Sequence, residues 1–317
     1  MIKGIRDTIK SLIKPVVKGK KKAIVTGGNG FIGSHIVDAL VRDGNFDEVR
    51  VIDNQSSDSH EQFYFNRDKK VVNFVYDIAD YNLIRPIFDD VDVVFHLAAE
   101  SRIQPAILNP TLAAKTNVTG TCNVLQAARE AGCDRVIYSS TSSAYGLVNT
   151  PPLKEDMPKD CLNPYSVTKV AGEELCKMYT DLFGLKTITF RYFNVYGDRQ
   201  CTKGQYAPVI GLFLRQKEAG EKMTVVGDGL QTRDYTNVED VVQANILAME
   251  VKKGFGEIYN VGTGKEYSIL DLVKIIGGEY EHIPERIGEC RFTRADISKS
   301  KSILGYNPKV KLEDYLK

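Results

Sequence analysis

A short apolar run, Lys22-Ala23-Ile24-Val25-Thr26, leads straight into a glycine-rich turn, Gly27-Gly28-Asn29-Gly30-Phe31-Ile32-Gly33, and this junction constrains the fold more than any other feature. The run reads as a buried parallel strand and the turn as the opening of a helix from about Phe31 to Arg42. Gly27 and Gly30 permit a tight backbone and the close approach of a pyrophosphate, and Gly33 lets the helix lie against the sheet. The phosphates then sit at the positive end of that helix. A second strand, Glu48-Val49-Arg50-Val51-Ile52-Asp53, ends in a carboxylate about twenty residues after the glycines, suited to the hydroxyls of an adenosine ribose. An acid there favours NAD over NADP, whose extra phosphate it would repel.

Beyond this unit the apolar runs and helical stretches keep alternating. Strands are predicted at 23–26, 49–53, 71–76, 91–96, 135–139 and 186–190, with helices at 117–131 and 165–183 among those between them. That order predicts an α/β fold, a doubly wound parallel sheet of Rossmann type, whose ligands gather at the carboxyl ends of the strands. Polar and small residues cluster at those ends: Asp53-Asn54, Asp77-Ile78, His96-Leu97-Ala98-Ala99, Ser139-Ser140-Thr141 and Arg191-Tyr192-Phe193-Asn194. After Gly197 the pattern becomes irregular. The expected organisation is a basic arm at 1–21, an NAD-binding Rossmann domain at 22–197, and a smaller, mainly substrate-binding domain at 198–317 with segments returning to the first. Within the last, Arg233, Arg286 and Arg291 could clamp a diphosphate through bidentate hydrogen bonds.

Tyr165 and Lys169 lie four residues apart in Asn163-Pro164-Tyr165-Ser166-Val167-Thr168-Lys169, which places both on one face of a helix capped by Asn163-Pro164. A phenol ordinarily loses its proton near pH ~10. A cation one turn away and a positive nicotinamide ring favour the phenolate, bringing it toward service as a base. The spacing alone favours an ordinary surface pair; the glycine turn upstream reverses that reading toward a site.

The 42 basic and 41 acidic side chains nearly cancel, so nothing global points to nucleic acid. Six cysteines form no Cys-x-x-Cys pair and four histidines no cluster, which predicts a reduced, cytoplasmic setting and no structural metal. No apolar run approaches the roughly twenty residues that cross a bilayer. The segment up to Lys22 departs from this balance, with eight cations against Asp7, a net +7; because the whole chain carries +1, the remainder carries −6. Ile2, Ile5, Ile9, Leu12, Ile13 and Val16 recur there near helical spacing. The arm reads either as a weak contact for an anionic membrane surface or as a solubilising, partner-packed extension.

Taken in order, the glycine turn, His96-Leu97-Ala98-Ala99, the Ser-Ser-Thr strand end, Tyr165-x-x-x-Lys169 and Arg191-Tyr192-Phe193-Asn194-Val195-Tyr196-Gly197 resemble the extended short-chain dehydrogenase/reductase superfamily. Within it the chain is most similar to the nucleotide-sugar 4-epimerases, over about Lys22 to Pro308. The resemblance implies that Gly27, Gly30, Phe31, Ile32 and Gly33 meet the pyrophosphate, Asp53 with Asn54 the adenosine ribose, and Asp77 with Ile78 the adenine. Leu97, Ala98 and Ala99 would line the cofactor cleft with Asn117 behind them, and Phe193 would pack near the nicotinamide. It implies Thr141 as the catalytic hydroxyl, Tyr165 as base and Lys169 as cofactor-binding lysine. Substrate contacts fall on Thr141, Ser142, Tyr165, Asn194, Thr224, Arg233, Arg286 and Glu289, and on Gln205 and Tyr206 in the pocket loop. Thr293 matches a gate beside the sugar's C2, where a small residue admits an N-acetyl group by steric allowance.

The implied reaction inverts C4 of a nucleotide sugar, a UDP-hexose or its N-acetyl form, through a 4-keto intermediate. Related 4,6-dehydratases and decarboxylases carry an acid just after the catalytic threonine, where this chain reads Ser142-Ser143. Those enzymes and epimerases of other nucleotide sugars are the rival readings, with a noncatalytic cofactor-binding or assembly protein as the rival from another class. The resemblance also implies a homodimer that pairs the helices at 117–131 and 165–183, whose outer faces would then be apolar.

Overall fold

The computed structural model describes residues 21–56, 63–202, 207–285 and 290–317. The basic arm ahead of Lys21 lies outside them. Six strands follow the predicted order: β1 (Lys21–Thr26), β2 (Phe46–Ile52), β3 (Val71–Phe74), β4 (Val93–His96), β5 (Arg135–Thr141) and β6 (Lys186–Tyr192). A seventh, Glu257–Val261, returns from the distal part of the chain to pair with β6, with Tyr259 opposite Phe190. Across the all-parallel sheet the order is Glu257–Val261, β6, β5, β4, β1, β2, β3. The winding therefore reverses between β1 and β4, and a crevice opens there because successive connections leave in opposite directions.

From Ala23 to Val25, β1 is apolar because it is buried on both faces. Ala23 and Val25 pack with Ile36, Val37 and Leu40 of the helix Phe31–Arg42, whereas Ile24 packs in the opposite layer with Val94, Val136 and Leu125. Each such side chain contributes roughly 1.5–3 kcal/mol on burial, so the two layers are the main stabilising mass of this body.

Element ends differ from the sequence pattern where function begins. β5 and β6 run two residues further than predicted, which brings Thr141 opposite Tyr192 in register. The helix predicted at 117–131 is preceded by helical turns from Pro110 and carries a π-turn, Lys115–Gly120, before Thr121–Ala131. On that turn Asn117 is buried, and Gly120 lies so close to Ile78 that a Cβ would stand 2.6 Å from its Cδ1. The helix Pro164–Phe183 begins with a reciprocal cap between Asn163 and Ser166 and ends at Gly184 with φ +71°. Its outer side exposes Val167, Leu182 and Phe183, while Thr121–Ala131 turns Arg129 and Glu130 outward. The helix Pro164–Phe183 also exposes the charged Glu174, Lys177 and Asp181 between those apolar residues, so its outer face is mixed rather than the apolar one expected for pairing. Among the described residues no helix is long and apolar enough to cross a membrane.

A third apolar cluster, including Phe213, Val225 and Leu272, forms the second body between the helices Val209–Glu218 and Ile269–Ile276. Buried Asp234 fastens its segments together. The carboxylate accepts hydrogen bonds from Thr263 N at 2.8 Å, Thr263 Oγ1 at 2.7 Å, Gly264 N at 2.9 Å and Ala295 N at 3.1 Å.

At Gly33 an added Cβ would meet Gly27 O at 2.1 Å, a contact that only backbone movement relieves. Gly33→Ala is expected to destabilise the protein by about 1–3 kcal/mol, measured as a lower thermal midpoint, and to weaken NAD binding in calorimetry.

Candidate active site

One cleft of about 570 Å³ opens at the carboxyl ends of β1, β2, β4, β5 and β6 and is closed over by the second body. Its floor begins at the glycine turn. Gly27 has φ +68°, and a Cβ there would come within 2.8 Å of Ala98 N, so the two backbones touch only because the residue has none. The helix Phe31–Arg42 starts at Gly30 without any side-chain cap, leaving its first-turn N–H groups to face the cleft. At the end of β2, Asp53 accepts Asn29 N at 3.0 Å through Oδ2 and Gln55 N at 2.9 Å through Oδ1. These features suit a dinucleotide, with its pyrophosphate on the helix start and its ribose beside Asp53.

A buried hydrogen-bond chain holds this floor in shape. Thr26 Oγ1 accepts the N–H groups of Leu97 and Ala98, each at 3.2 Å. Its own proton must then go to His96 Nδ1 at 2.7 Å, which leaves Nε2–H to donate to Thr121 Oγ1 at 2.9 Å. Burial, aided by the charge of Lys169, draws His96 down to about 3, so the ring stays neutral. Behind the loop that follows β4, Asn117 accepts Glu100 N at 2.8 Å and donates to Glu100 O at 3.0 Å and Thr168 Oγ1 at 2.9 Å.

Thr141, Tyr165 and Lys169 all line the cleft. Thr141 Oγ1 accepts Ser143 N at 3.1 Å and stands near enough to the Tyr165 phenol to favour its ionised form. Lys169 Nζ lies 4.4 Å from the centroid of the Tyr138 ring, whose hydroxyl donates to Lys169 O at 3.1 Å. Burial pushes the phenol of Tyr165 above its ordinary value, and Thr141 pulls it back. Burial likewise draws Lys169 down to about 7, against the opposing pull of Cys176 and Glu173. The sequence reading makes the ammonium the agent that lowers the phenol; here desolvation raises it, and the opposing pull comes from Thr141.

Other predicted residues divide. Phe31, Ile32, Asn54, Ile78, Leu97, Ala99, Ser142, Asn194, Thr224, Arg233 and Thr293 line the cleft, as do the glycines 27, 30 and 33. Asp77 does not: its carboxylate instead caps a turn by accepting Ala79 N at 2.8 Å. Phe193 is wholly buried against Tyr145 one layer behind the wall, so the cofactor side is presented by its neighbours Tyr192 and Asn194. Arg291 turns outward to Asp228 at 2.5 Å, leaving the predicted arginine clamp. Gln205, Tyr206, Arg286 and Glu289 lie outside the described residues. Thr293 pairs with Arg233 across a short ladder and approaches Asn194 Nδ2 at 3.4 Å.

The sequence reading missed Ser101, Arg102 and Gln104, which continue the wall after β4, and Gln231 and Tyr235 on the opposite side. The first three follow directly from a predicted strand end and were within reach of the same rule. The other two sit in short, irregular elements that carry no periodic signal.

A Rossmann sheet with an uncapped phosphate-binding helix and a Thr-Tyr-Lys cluster in one cleft defines a short-chain dehydrogenase/reductase type of enzyme. The chain belongs to the NAD dependent epimerase/dehydratase family, whose model matches residues 23–262. It is 39% identical over 302 residues to a putative UDP-glucose 4-epimerase of Methanocaldococcus jannaschii, covering 93% of this chain and 95% of that one. A UDP-N-acetyl-alpha-D-glucosaminuronate decarboxylase of Bacillus cytotoxicus is 36% identical, covering 94% and 96%. Among solved structures, the UDP-glucose 4-epimerase of Thermotoga maritima with UDP-glucose superposes with TM-score 0.87 at 37% identity, covering 93% and 96%. Solved neighbours of this fold hold NAD.

His96 gives a testable pH signature. Its folded pKa, about 3, lies below the 6.5 of an unperturbed imidazole, so the unfolded chain binds the extra proton between those values. The stability it confers is complete above about pH 6.5 and falls as pH drops toward 3. Denaturant titrations of parent and His96→Asn are expected to show a shallower acid loss in the variant.

Proposed function

We propose that this enzyme inverts C4 of a nucleotide sugar, UDP-glucose/galactose, its N-acetyl form, or both. The observation that carries the reading is the meeting of Thr141, Tyr165 and Lys169 in one cleft. Among the described residues, the acids that line the cleft are Asp53 and Glu100. Asp53 is occupied by two backbone N–H groups at the ribose end, and Glu100 stands in the loop after β4. Elimination of water requires a proton donor near C5 and C6, and inversion at C4 requires none.

Bound NAD supplies a reversible hydride acceptor, which lets C4 pass through a ketone. Tyr165 holds and returns the proton of O4, while Thr141 donates a hydrogen bond that steadies charge developing on that oxygen. Lys169 orients the cofactor's ribose and contributes positive charge. Asn194, Thr224 and Arg233 grip the diphosphate end, so the sugar is free to present either face. The names of the epimerase relatives support this reading; the decarboxylase relative keeps a uronic-acid substrate as the main competitor. Pairing of two copies through the helix Pro164–Phe183 belongs to the same proposal.

Incubation with UDP-glucose, UDP-N-acetylglucosamine and the corresponding uronic acids, followed by NMR, tests it. The expected product has C4 inverted; a 4-keto-6-deoxy sugar or release of carbon dioxide overturns it. Tyr165→Phe is expected to lower kcat by about 10²–10⁴-fold while NAD still binds. For the gate, Thr293→Tyr is expected to abolish turnover of the N-acetyl sugar and spare the plain hexose. Equal losses on both sugars would remove Thr293 from that role.

A further inference from the structure

Tyr165, Lys169 and Glu173 recur every four residues on one face of the helix Pro164–Phe183, and the chemistry above uses only two of them. The Glu173 side chain is 1% exposed and is grasped from two strands. Its Oε1 accepts Ser140 Oγ, on β5, at 2.6 Å and Arg191 Nε, on β6, at 2.9 Å; its Oε2 accepts Arg191 Nη2 at 2.8 Å. Lys159 Nζ stands 3.9 Å from Oε2. The Arg191 guanidinium is itself wholly buried over the Tyr145 ring, 4.6 Å from its centroid.

We propose that Glu173 is a positioning residue that, through Ser140 and Arg191, sets where the Tyr165–Lys169 face of the helix stands relative to Thr141. The inference rests on the roles given to those three residues under the proposed function. Ser140 and Thr141 are neighbours on β5, and Glu173 and Tyr165 lie two turns apart on the helix. The hydrogen bonds from Ser140 Oγ to Glu173 Oε1 and from Tyr138 Oη to Lys169 O, both leaving β5, pin strand to helix at two points one turn apart, which fixes rotation as well as position. Apolar packing alone tolerates small slips that hydrogen bonds of set length do not. Stability does not explain the arrangement, because desolvating two charges cancels much of their attraction and apolar replacements of such pairs are often as stable.

The same carboxylate acts on charge. Lys169 faces Tyr165, Glu173 and Cys176 on its own helix, the Tyr138 ring on β5 and the neutral His96 on β4. Glu173 is the one carboxylate in that set, and it favours the ammonium that burial disfavours. Removing it moves the loss of the lysine's proton to lower pH.

Glu173→Gln leaves Arg191 buried without its counter-charge and puts folding at risk, so the decisive variant is the double replacement Glu173→Leu with Arg191→Met. Ser140→Ala is its companion, because it removes one hydrogen bond and leaves the charge in place. Each full-length variant is compared with the parent for melting temperature, for NAD affinity across the neutral pH range, and for kcat and KM on the sugar the parent turns over. The folded double variant is expected to lose about 10–100-fold in kcat with KM within about two-fold, and the alkaline limb of its NAD affinity to move to lower pH. Ser140→Ala is expected to lose less in kcat and to leave the limb where it is. Parental kcat in the folded double variant overturns the proposal. So does a loss of kcat that comes with an unmoved limb, since that is what a merely structural role produces. A parent inactive on every nucleotide sugar overturns the functional reading instead, and the pH limb of NAD binding still decides the part played by Glu173.

Discussion

The cleft depends on how closely two backbone segments approach at the carboxyl ends of β1 and β4. Gly27 sits against Ala98 with no room for a Cβ, and the next contact along, Thr26 Oγ1 with the N–H groups of Leu97 and Ala98, ties the same segments by hydrogen bonds. Sterics and hydrogen bonding thus demand one geometry. The chain continues through His96 to Thr121, so the phosphate-binding floor is linked to the helical layer on the far side of β4. A neutral imidazole is required for this, since it must accept at one nitrogen and donate at the other. The low pKa is a consequence of the site that the network builds, and the network in turn excludes the water that would raise it.

Buried charge is the second constraint, and it is arranged against the grain of stability. Lys169, Glu173 and Arg191 are all withdrawn from solvent within one layer of Thr141. Glu173 is paired with Arg191, and of the two it is Glu173 that acts on the ammonium below the phenol. Desolvation acts on both members of the Tyr165–Lys169 pair, raising one and lowering the other, and so disfavours the charged form of each. Positive charge entering the cleft favours the phenolate, which would couple the readiness of a base there to the presence of its cofactor.

Legibility in the sequence followed the range of the interaction. The glycine turn, the strand ends and the Tyr-x-x-x-Lys spacing are encoded within a few residues of one another, and the parallel sheet and the strand ends that line the cleft could be read from them; the strand order could not. What was misread depends on distant partners. Arg291 looks like a diphosphate ligand until Asp228 is found beside it, and Phe193 looks like a cofactor contact until the extension of β6 turns it into the layer behind. The strand Glu257–Val261 is five residues between the glycine turns Gly254-Phe255-Gly256 and Gly262-Thr263-Gly264, which mark its ends but not its sheet; only β6 places it there. The direction of the Tyr165 shift is of the same kind, because burial is a property of the whole fold and cannot be seen in the spacing to Lys169.

The two bodies divide the labour of the cleft. Thr141, Tyr165 and Lys169 stand on elements of the main sheet and its longest helix, where ladders and buried layers hold each backbone on both sides. Thr224, Arg233 and Thr293 stand on two- and four-residue strands of the second body, whose segments are gathered by one buried carboxylate, that of Asp234. Positional precision matters most for the atoms that exchange a proton, and least for the walls that admit one sugar or another. Under the proposed function, changes in the second body would alter which sugar enters without disturbing the reacting groups. That separation would be a physical reason why one scaffold accommodates epimerases beside decarboxylases and dehydratases: the half that holds Thr141, Tyr165 and Lys169 is built on long ladders and a long helix, and the half that meets the sugar is assembled from short pieces.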